Sequence, residues 1–360
     1  MSPLRLQEPM QCLLITVGIL ATFLISDMVF SHQRTPTCLL QLLNTYTTTR
    51  NGKHMNNTTA VLLMAYGTPR STEEILPYYT DIRRGRVPTD EQLADLTARY
   101  DAIGGISPLA ARTEAQRDAL QQALNERSPG EFHVQLGLKH AHPMIEETVN
   151  DIAQQGIKKI IAIVLAPHFS SYSIGQYVGR AKAAAEPHNI EVIGIESWAT
   201  EPAFVNFLAS DMAAKKAQLP ARTRVLFTAH SLPQRIIDGG DPYPHELHAT
   251  ATAVANSIGL REGDDWAIAW QSAGRTPEPW IGPDILDVID DIAANKQADA
   301  VLVSACGFVA DHLEVLYDLD IEAQHRADSH GLAFARTACV NDNPLVMAAL
   351  ADRVIAASAT

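Results

Sequence analysis

Three carboxylates stand four residues apart near the end of the chain: Glu314, Asp318 and Glu322 in the stretch HLEVLYDLDIE. In an α-helix this spacing places like charges on one face, at a cost of about 0.2–0.5 kcal/mol for each pair. The favourable field at a helix N-terminus explains a carboxylate in the first turn, but not the two further along. A cation would neutralise the row, because hard divalent ions prefer oxygen ligands. The spacing therefore indicates a cation path along a predicted helix over 312–323.

Histidines near the ends of apolar runs could contribute to such a path. His230 follows the run VLFTA, and His140 and His142 follow the run VQLGL. Imidazole and carboxylate together suit Fe(II) or Zn. His230 is also explained as a histidine that closes a strand and bonds a backbone carbonyl. His140 and His142 are equally well explained as surface or core residues, so both interpretations stay open at this point.

A second group of residues is basic. The stretch DIRRGR contributes Arg83, Arg84 and Arg86, and Arg99 follows just before Tyr100. Guanidinium groups bind carboxylates and phosphates with two parallel hydrogen bonds, so the cluster indicates a site for an oxyanion. The alternative is a helix C-terminus decorated with cations, which interact favourably with the helix dipole.

Two turns could approach a flat ligand. The turn GGISPL contains Ser107, and its two glycines let the backbone come close to a ligand. Tyr172 and Tyr177 lie on either side of a strand-to-helix turn in FSSYSIGQYVG. These tyrosines either flank a flat ring or pack in the core.

The composition excludes some classes of protein. The 360 residues correspond to about two domains. The net charge of −13 argues against a nucleic-acid partner, because binding phosphates needs a basic surface. The four cysteines, Cys12, Cys38, Cys306 and Cys339, are scattered and predict neither a disulfide framework nor a zinc ribbon. This cysteine pattern fits a reducing compartment such as the cytoplasm.

Residues 1–59 form an N-terminal extension that differs from the rest. Residues 9–26 carry no charge, and this length is near the lower limit of about 17 residues for a membrane span. Three interpretations stay open: a membrane anchor, a cleaved signal, or an upstream mis-start with translation beginning at Met55. A genuine anchor would place the protein at a membrane.

From residue 60 onward, continuous apolar strands alternate with amphipathic helices, which predicts an α/β fold with parallel sheets covered on both faces. The pattern restarts halfway, because VLLMAYGTP (61–69) aligns with VLFTAHSLP (225–233). We therefore predict two Rossmann-like, doubly wound domains over residues 60–197 and 223–337, with residues 338–360 as a C-terminal helix packing back on the first domain.

Ligands of such sheets bind beyond the C-terminal ends of the strands, which is where Tyr66, His168 and His230 are predicted to lie. Neither GxGxxG nor GxxxxGK[ST] follows the first strand, so a dinucleotide or P-loop site lacks its phosphate cradle.

From Val61 onward the chain resembles the ferrochelatases, and most of all the bacterial coproporphyrin III ferrochelatases. Nine strings in register carry the resemblance: MAYGTP (64–69), YYTDIRRGR (78–86), RYDAIGGISPL (99–109), LGLKH (136–140), APHFSSYS (166–173), TAHSLP (228–233), GDPYP (240–244), TPEPWIGPD (276–284) and GFVADHLEVLYDLD (307–320). The resemblance implies a chelatase-like fold with a porphyrin cleft between its two domains, and insertion of Fe(II) into coproporphyrin III in haem b biosynthesis.

The resemblance also assigns residues to roles. His230 and Glu314 would be the catalytic, metal-side pair. The residues that would contact the porphyrin and its propionates are Tyr66, Arg83, Arg99, Tyr100, Ser107 and Tyr177. An outer metal site for Mg²⁺ or another divalent ion would use His140, Asp318 and Glu322.

Further expectations follow from the resemblance. No iron–sulfur cluster is predicted, because only Cys306 and Cys339 lie within the matching region. Fe²⁺ enters as a substrate, and we expect a monomer that passes Fe-coproporphyrin to a transient partner. Three alternatives stay open: a ferrochelatase acting on protoporphyrin IX, a cobalt chelatase, and a non-catalytic haem or porphyrin carrier.

Overall fold

The described strands form two separate parallel sheets in a computed structural model that describes residues 58–274 and 276–360. The first sheet contains Thr59–Ala65 (β1), Phe132–Leu138 (β2), Lys159–Val164 (β3) and Glu191–Ile195 (β4). The second contains Thr223–His230 (β5), Trp266–Gln271 (β6), Ala300–Ser304 (β7) and Ala333–Arg336 (β8). The strand orders are β2-β1-β3-β4 and β6-β5-β7-β8, so β5 takes the place of β1 in the second sheet. The predicted α/β class and the restart of the pattern are confirmed.

Helices connect the strands and cover the sheets. Those of the first half are Ile75–Ile82 (α1), Asp90–Ala102 (α2), Leu109–Arg127 (α3), Ile145–Gln154 (α4), Ile174–Ala185 (α5) and Pro202–Lys216 (α6). Those of the second half are Gln234–Asp238 (α7), Tyr243–Ser257 (α8), Ile285–Ala294 (α9), Leu313–Leu316 (α10), Gln324–Ser329 (α11) and Pro344–Ser358 (α12). Short 3₁₀ helices span Thr72–Glu74 and Glu186–His188.

Residues of both halves share a buried core. Val61 and Leu63 of β1 belong to the same hydrophobic cluster as Val225 and Phe227 of β5. Helix α12 contacts α3, α6, β3 and β4. The described residues all belong to one compact unit, so the two domains and their boundaries stay a prediction.

The prediction of a single α-helix over 312–323 is wrong. Helix α10 ends at Leu316, and a π-helix over Asp318–Ala323 leads into α11. The backbone N–H of Glu322 donates to the carbonyl of Tyr317, five residues earlier, at 2.9 Å. Such wide turns are rare in proteins as a whole, but those that occur are often at functional sites. The spacing of apolar residues in the sequence does not reveal them. The three carboxylates therefore do not lie on one regular α-helix.

No helix among the described residues has the length and apolar character needed to cross a membrane. The uncharged stretch 9–26, and the predicted extension up to residue 57, lie outside the described residues.

Candidate active site

Equivalent strands of the two halves end in two side chains that sequence reasoning singled out. Tyr66 directly follows β1, and His230 is the last residue of β5. Gly307 makes room for the segment that follows β7, because a Cβ there would lie 2.4 Å from the Cβ of Ala229. This close crossing brings the chain from β7 past the end of β5, next to His230.

His230 and Glu314 lie together, as predicted from the sequence motifs. Nε2 of His230 is 3.7 Å from Oε1 of Glu314, and each side chain keeps about a third of its surface exposed (35% and 37%). Nδ1 of His230 bonds the backbone carbonyl of Ser231. A carbonyl only accepts, so Nδ1 carries the hydrogen and the neutral ring presents a lone pair at Nε2.

His312 repeats this arrangement on the other oxygen of Glu314. Its Nδ1 donates to the carbonyl of Ala310 at 2.9 Å, and its Nε2 is 3.5 Å from Oε2 of Glu314. In their neutral forms the two rings thus present two lone-pair nitrogens to one carboxylate. The three groups become mutually attractive only when a proton or a cation enters between them.

The environment keeps Glu314 ionised. Burial acts to raise the pKa of Glu314. The charges that His230 and His312 carry when protonated, the hydrogen bond of His312 and the charge of Arg99 outweigh burial, so the pKa is lowered. A deprotonated carboxylate between two imidazoles can accept protons and hold a cation weakly.

Asp318 is a largely buried member of the acidic row, and its charged form is disfavoured there. It is 8% exposed, its Oδ2 accepts from the hydroxyl of Ser272 at 2.5 Å, and its Oδ1 lies 3.7 Å from Nη1 of Arg99. Burial, and then the charge of Glu314, raise the pKa of Asp318 to about 6 from an ordinary value of 3.8. The fold therefore holds this carboxylate at a cost in stability.

Asp318→Asn should stabilise the metal-free protein at neutral and alkaline pH. The folded state retains the Asp318 proton up to about pH 6, so the wild-type carboxylate lowers stability progressively between its ordinary and raised pKa values, and fully above them. A difference of about two pKa units corresponds to at most about 3 kcal/mol. Urea unfolding should give the variant a higher free energy of unfolding above about pH 7 and no difference below about pH 4. An equal difference at both pH values would contradict the raised pKa.

On the side of the first half, Tyr66 contacts His140. Their ring centroids are 4.6 Å apart, and Nδ1 of His140 is 2.6 Å from Oδ2 of Asp81. Burial, followed by the Glu314 charge, raises the pKa of Tyr66, so the phenol stays protonated at neutral pH. Tyr66 is nevertheless 41% exposed, which leaves this aromatic side chain open to a ligand.

The predicted porphyrin contacts divide into exposed and buried groups. Arg83 is partly exposed and lies over the ring of Tyr79, and Arg99 lies over the ring of Tyr317 at 4.9 Å. By contrast, the residues with small exposed fractions are Tyr100 (2%), Ser107 (5%) and Tyr177 (4%). The hydroxyl of Ser107 accepts from the N–H of Leu109 at the start of α3. The two arginines and Tyr66 are thus more accessible than Tyr100, Ser107 and Tyr177.

The outer metal site is not preformed in the described ranges. No three His, Cys, Asp or Glu side chains of residues 58–274 and 276–360 are placed to hold a metal ion. His140 is paired with Asp81, and Asp318 with Arg99 and Ser272, while Glu322 lies in the π-helix. An ion bound by His140, Asp318 and Glu322 stays a prediction.

Two polar residues at the end of β6 were missed from the sequence. Gln271 donates from Nε2 to the backbone carbonyl of Glu314 at 3.2 Å, and Ser272 holds Asp318. Ser272 has φ of 61°, in the left-handed region that non-glycine residues rarely adopt. Gln271 and Ser272 therefore hold the acidic segment in place from the end of the neighbouring strand. The unusual backbone conformation of Ser272 is the one feature that marks these two residues out.

His168, which the sequence placed among the strand-end groups, does not join this cluster. It is 2% exposed, and its Nε2 bonds the hydroxyl of Thr250 at 2.8 Å. Burial lowers the pKa of His168 to about 3, so it is a neutral residue that ties β3 to α8.

Comparison with known proteins places this arrangement in a family. The family model Ferrochelatase matches residues 58–358. The coproporphyrin III ferrochelatase of Oceanobacillus iheyensis is 44% identical over 300 residues, covering 82% of this chain and 95% of that protein. The corresponding Bacillus subtilis protein is 44% identical over 301 residues, covering 82% and 96%. A Herpetosiphon aurantiacus protein named ferrochelatase is 45% identical over 296 residues, covering 81% and 96%. The chain belongs to the ferrochelatase family.

Proposed function

We propose that this chain inserts Fe(II) into coproporphyrin III and yields Fe-coproporphyrin III for haem b biosynthesis. The carrying observation is the pair of facing groups, Nε2 of His230 and Oε1 of Glu314, which lie 3.7 Å apart and are both partly exposed. Membership of the ferrochelatase family supports ferrous iron as a substrate. The names of several relatives with 44–45% identity support coproporphyrin III as the other substrate.

Insertion replaces two pyrrole N–H hydrogens with one Fe²⁺ ion, so two protons must leave the ring. In our proposal His230 and Glu314 lie over one face of the macrocycle, guide the cation to the ring and accept the departing protons. Glu314 is suited to this role because its lowered pKa keeps it ionised. His230 is suited because its free lone pair points at the same space.

The other face and the rim of the ring would be held by the first half. Tyr66 would lie opposite the His230–Glu314 pair, since it follows the equivalent strand and is partly exposed. Arg83 and Arg99 would pair with propionates, because guanidinium groups bind carboxylates in a fork. Tyr100, Ser107 and Tyr177 would complete the binding surface, although their small exposed fractions require a small local movement.

We further propose that His140, Asp318 and Glu322 form an outer site that feeds iron inward. The raised pKa of Asp318 supports it, since a carboxylate kept at a cost to stability gains from a neutralising cation. Mg²⁺ or another divalent ion would occupy the same oxygens. We also propose a cytoplasmic monomer that hands its product to a transient partner.

Protoporphyrin IX is the second candidate substrate, because a relative with 45% identity carries the name ferrochelatase alone. Coproporphyrin III has four propionates and protoporphyrin IX has two. Each further charge-assisted hydrogen bond contributes about 1.5–3 kcal/mol, so kcat/KM should be at least about tenfold higher with coproporphyrin III.

Anaerobic turnover of purified protein with Fe²⁺ and each porphyrin, followed by absorbance of the iron product, measures this preference. Faster turnover with protoporphyrin IX would make protoporphyrin IX, and not coproporphyrin III, the preferred substrate. Tight binding of both porphyrins without metallation would instead identify a carrier.

A further inference from the structure

Arg336, the last residue of β8, forms ion pairs with two carboxylates next to the proposed metal-side residues. Its Nε and Nη2 lie 2.6 and 2.7 Å from the two carboxylate oxygens of Asp320, a bidentate pair. Nη2 is also 3.4 Å from Oδ1 of Asp311. Only 14% of the Arg336 side chain is exposed. A single guanidinium thus joins two points that are nine residues apart in the chain.

These two carboxylates bracket the acidic segment. Asp311 comes immediately before His312 and three residues before Glu314, while Asp320 lies in the π-helix, two residues after Asp318. A residue that holds both ends restricts how Glu314 is presented. The π-helix makes such support valuable, because its widened turn is less stable than a regular α-helical turn.

The first end of the segment is also anchored to the other half of the protein. The N–H of Asp311 donates to Oδ1 of Asn341 at 3.0 Å, and Nδ2 of Asn341 donates to Oδ2 of Asp311 at 2.8 Å. Gln116 of α3, which is fully buried, donates from Nε2 to the carbonyls of Val309 and Asn341 at 3.2 and 3.0 Å. Arg336 therefore extends this fixed anchor to the π-helix.

We propose that Arg336 is a positioning residue for iron insertion, holding the segment 311–320 so that Glu314 faces His230. This inference rests on the proposed function and deepens it. Arg336 touches neither of the two metal-side residues and acts through Asp311 and Asp320. Lysine would replace it only in part, because an ammonium group is a point charge that lacks the planar fork needed to bind one carboxylate through two nitrogens while reaching a second.

The first test compares the kinetics of three variants. Arg336→Met should lower kcat by about 10- to 100-fold, as expected for displaced reacting groups, with the KM for porphyrin changed less than about twofold. Arg336→Lys should recover part of the loss. The matched control is Arg326→Met, since Arg326 pairs with Asp290 at 2.5 Å outside the segment 311–320. A wild-type kcat in Arg336→Met, or an equal loss in Arg326→Met, would overturn the inference.

A double variant tests whether the loss of kcat comes from misplaced residues or from the charge of Asp320, which is left without its partner. In Arg336→Met, Asp320 loses its partner, and adding Asp320→Asn removes that charge. Positioning predicts that the double variant stays slow, whereas full recovery would overturn it. If Arg336→Met fails to fold, Asp320→Asn alone should lower kcat in the same direction, and a wild-type kcat there would count against the inference.

Hydrogen–deuterium exchange of the free protein makes the test independent of activity. Arg336→Met should speed exchange of the amides in 311–323 by about tenfold or more, while Arg326→Met leaves them unchanged. Unchanged exchange in Arg336→Met would overturn the positioning role, whatever the turnover. If the wild-type protein inserts no iron, the proposed function is wrong, and the exchange result still decides whether Arg336 fixes this segment.

Discussion

Glu314→Gln should reduce iron insertion by about 10²- to 10⁴-fold, the range for loss of a group that transfers protons. Glutamine has the same shape, but it accepts no proton at neutral pH and attracts a cation far less. The fold should persist, since the amide nitrogen of glutamine can donate a hydrogen bond to the unprotonated Nε2 of His230, which faces this side chain. Anaerobic turnover with Fe²⁺ and coproporphyrin III measures the loss, and the change in porphyrin absorbance on binding measures whether the ring still enters.

The matched control for this substitution is Glu126→Gln. Glu126 is an exposed residue near the end of α3, where it accepts from Nε2 of Gln122. It should leave turnover unchanged. A Glu314→Gln protein that binds porphyrin and inserts iron at a near-normal rate would show that the carboxylate has no part in the chemistry.

His230→Ala should cause a loss of similar size, about 10²- to 10⁴-fold, because it removes the lone pair at Nε2 that faces Glu314. Porphyrin affinity should change little, since the proposed propionate contacts come from the first half. His248→Ala is the control, because His248 is 46% exposed and pairs with Glu262 on the surface. Steady-state kinetics with each substrate varied in turn separates the two effects. A variant that lost porphyrin binding but kept its kcat would assign His230 to binding instead.

The repeated architecture could be predicted from the sequence because strands that are buried on both faces have continuous apolar sequences. The run VLLMA of β1 and the run VLFTA of β5 predicted equivalent strands, and the strand orders confirm it. Since the ends of such strands meet ligands, Tyr66 and His230 could be singled out from their positions alone. The pairing of Glu314 with His230 needed the family resemblance, because the end of a strand fixes its own last residue better than a residue ten positions further along.

The parts that could not be predicted depend on contacts between distant segments. The π-helix arises where Tyr317 and Glu322 bond across five residues, and Ser272 and Arg336 meet its carboxylates from two other strands. The spacing of residues within one segment does not predict these contacts between distant segments. Ser107 illustrates the reverse case: a residue chosen for a ligand role is largely buried, and its hydroxyl also satisfies an N–H at a helix start.

The acidic segment holds like charges close together, which costs stability. Glu314 and Asp318 raise each other's energy, and burial raises the pKa of Asp318 to about 6. Ser272 and Arg99 hold Asp318 in place, and Arg336 holds the flanking carboxylates of Asp311 and Asp320. Stability alone would favour neutral side chains at such positions, so the arrangement is best explained by a function that needs negative charge there.

A crystal structure of the protein with coproporphyrin III bound most directly tests the placement of the reacting groups. The expected result is a ring lying between the two halves, with His230 and Glu314 over one face, Tyr66 over the other, and Arg83 and Arg99 at the propionates. A ring bound on another surface, or one with Tyr66 on the same face as the His230–Glu314 pair, would contradict the proposed mechanism.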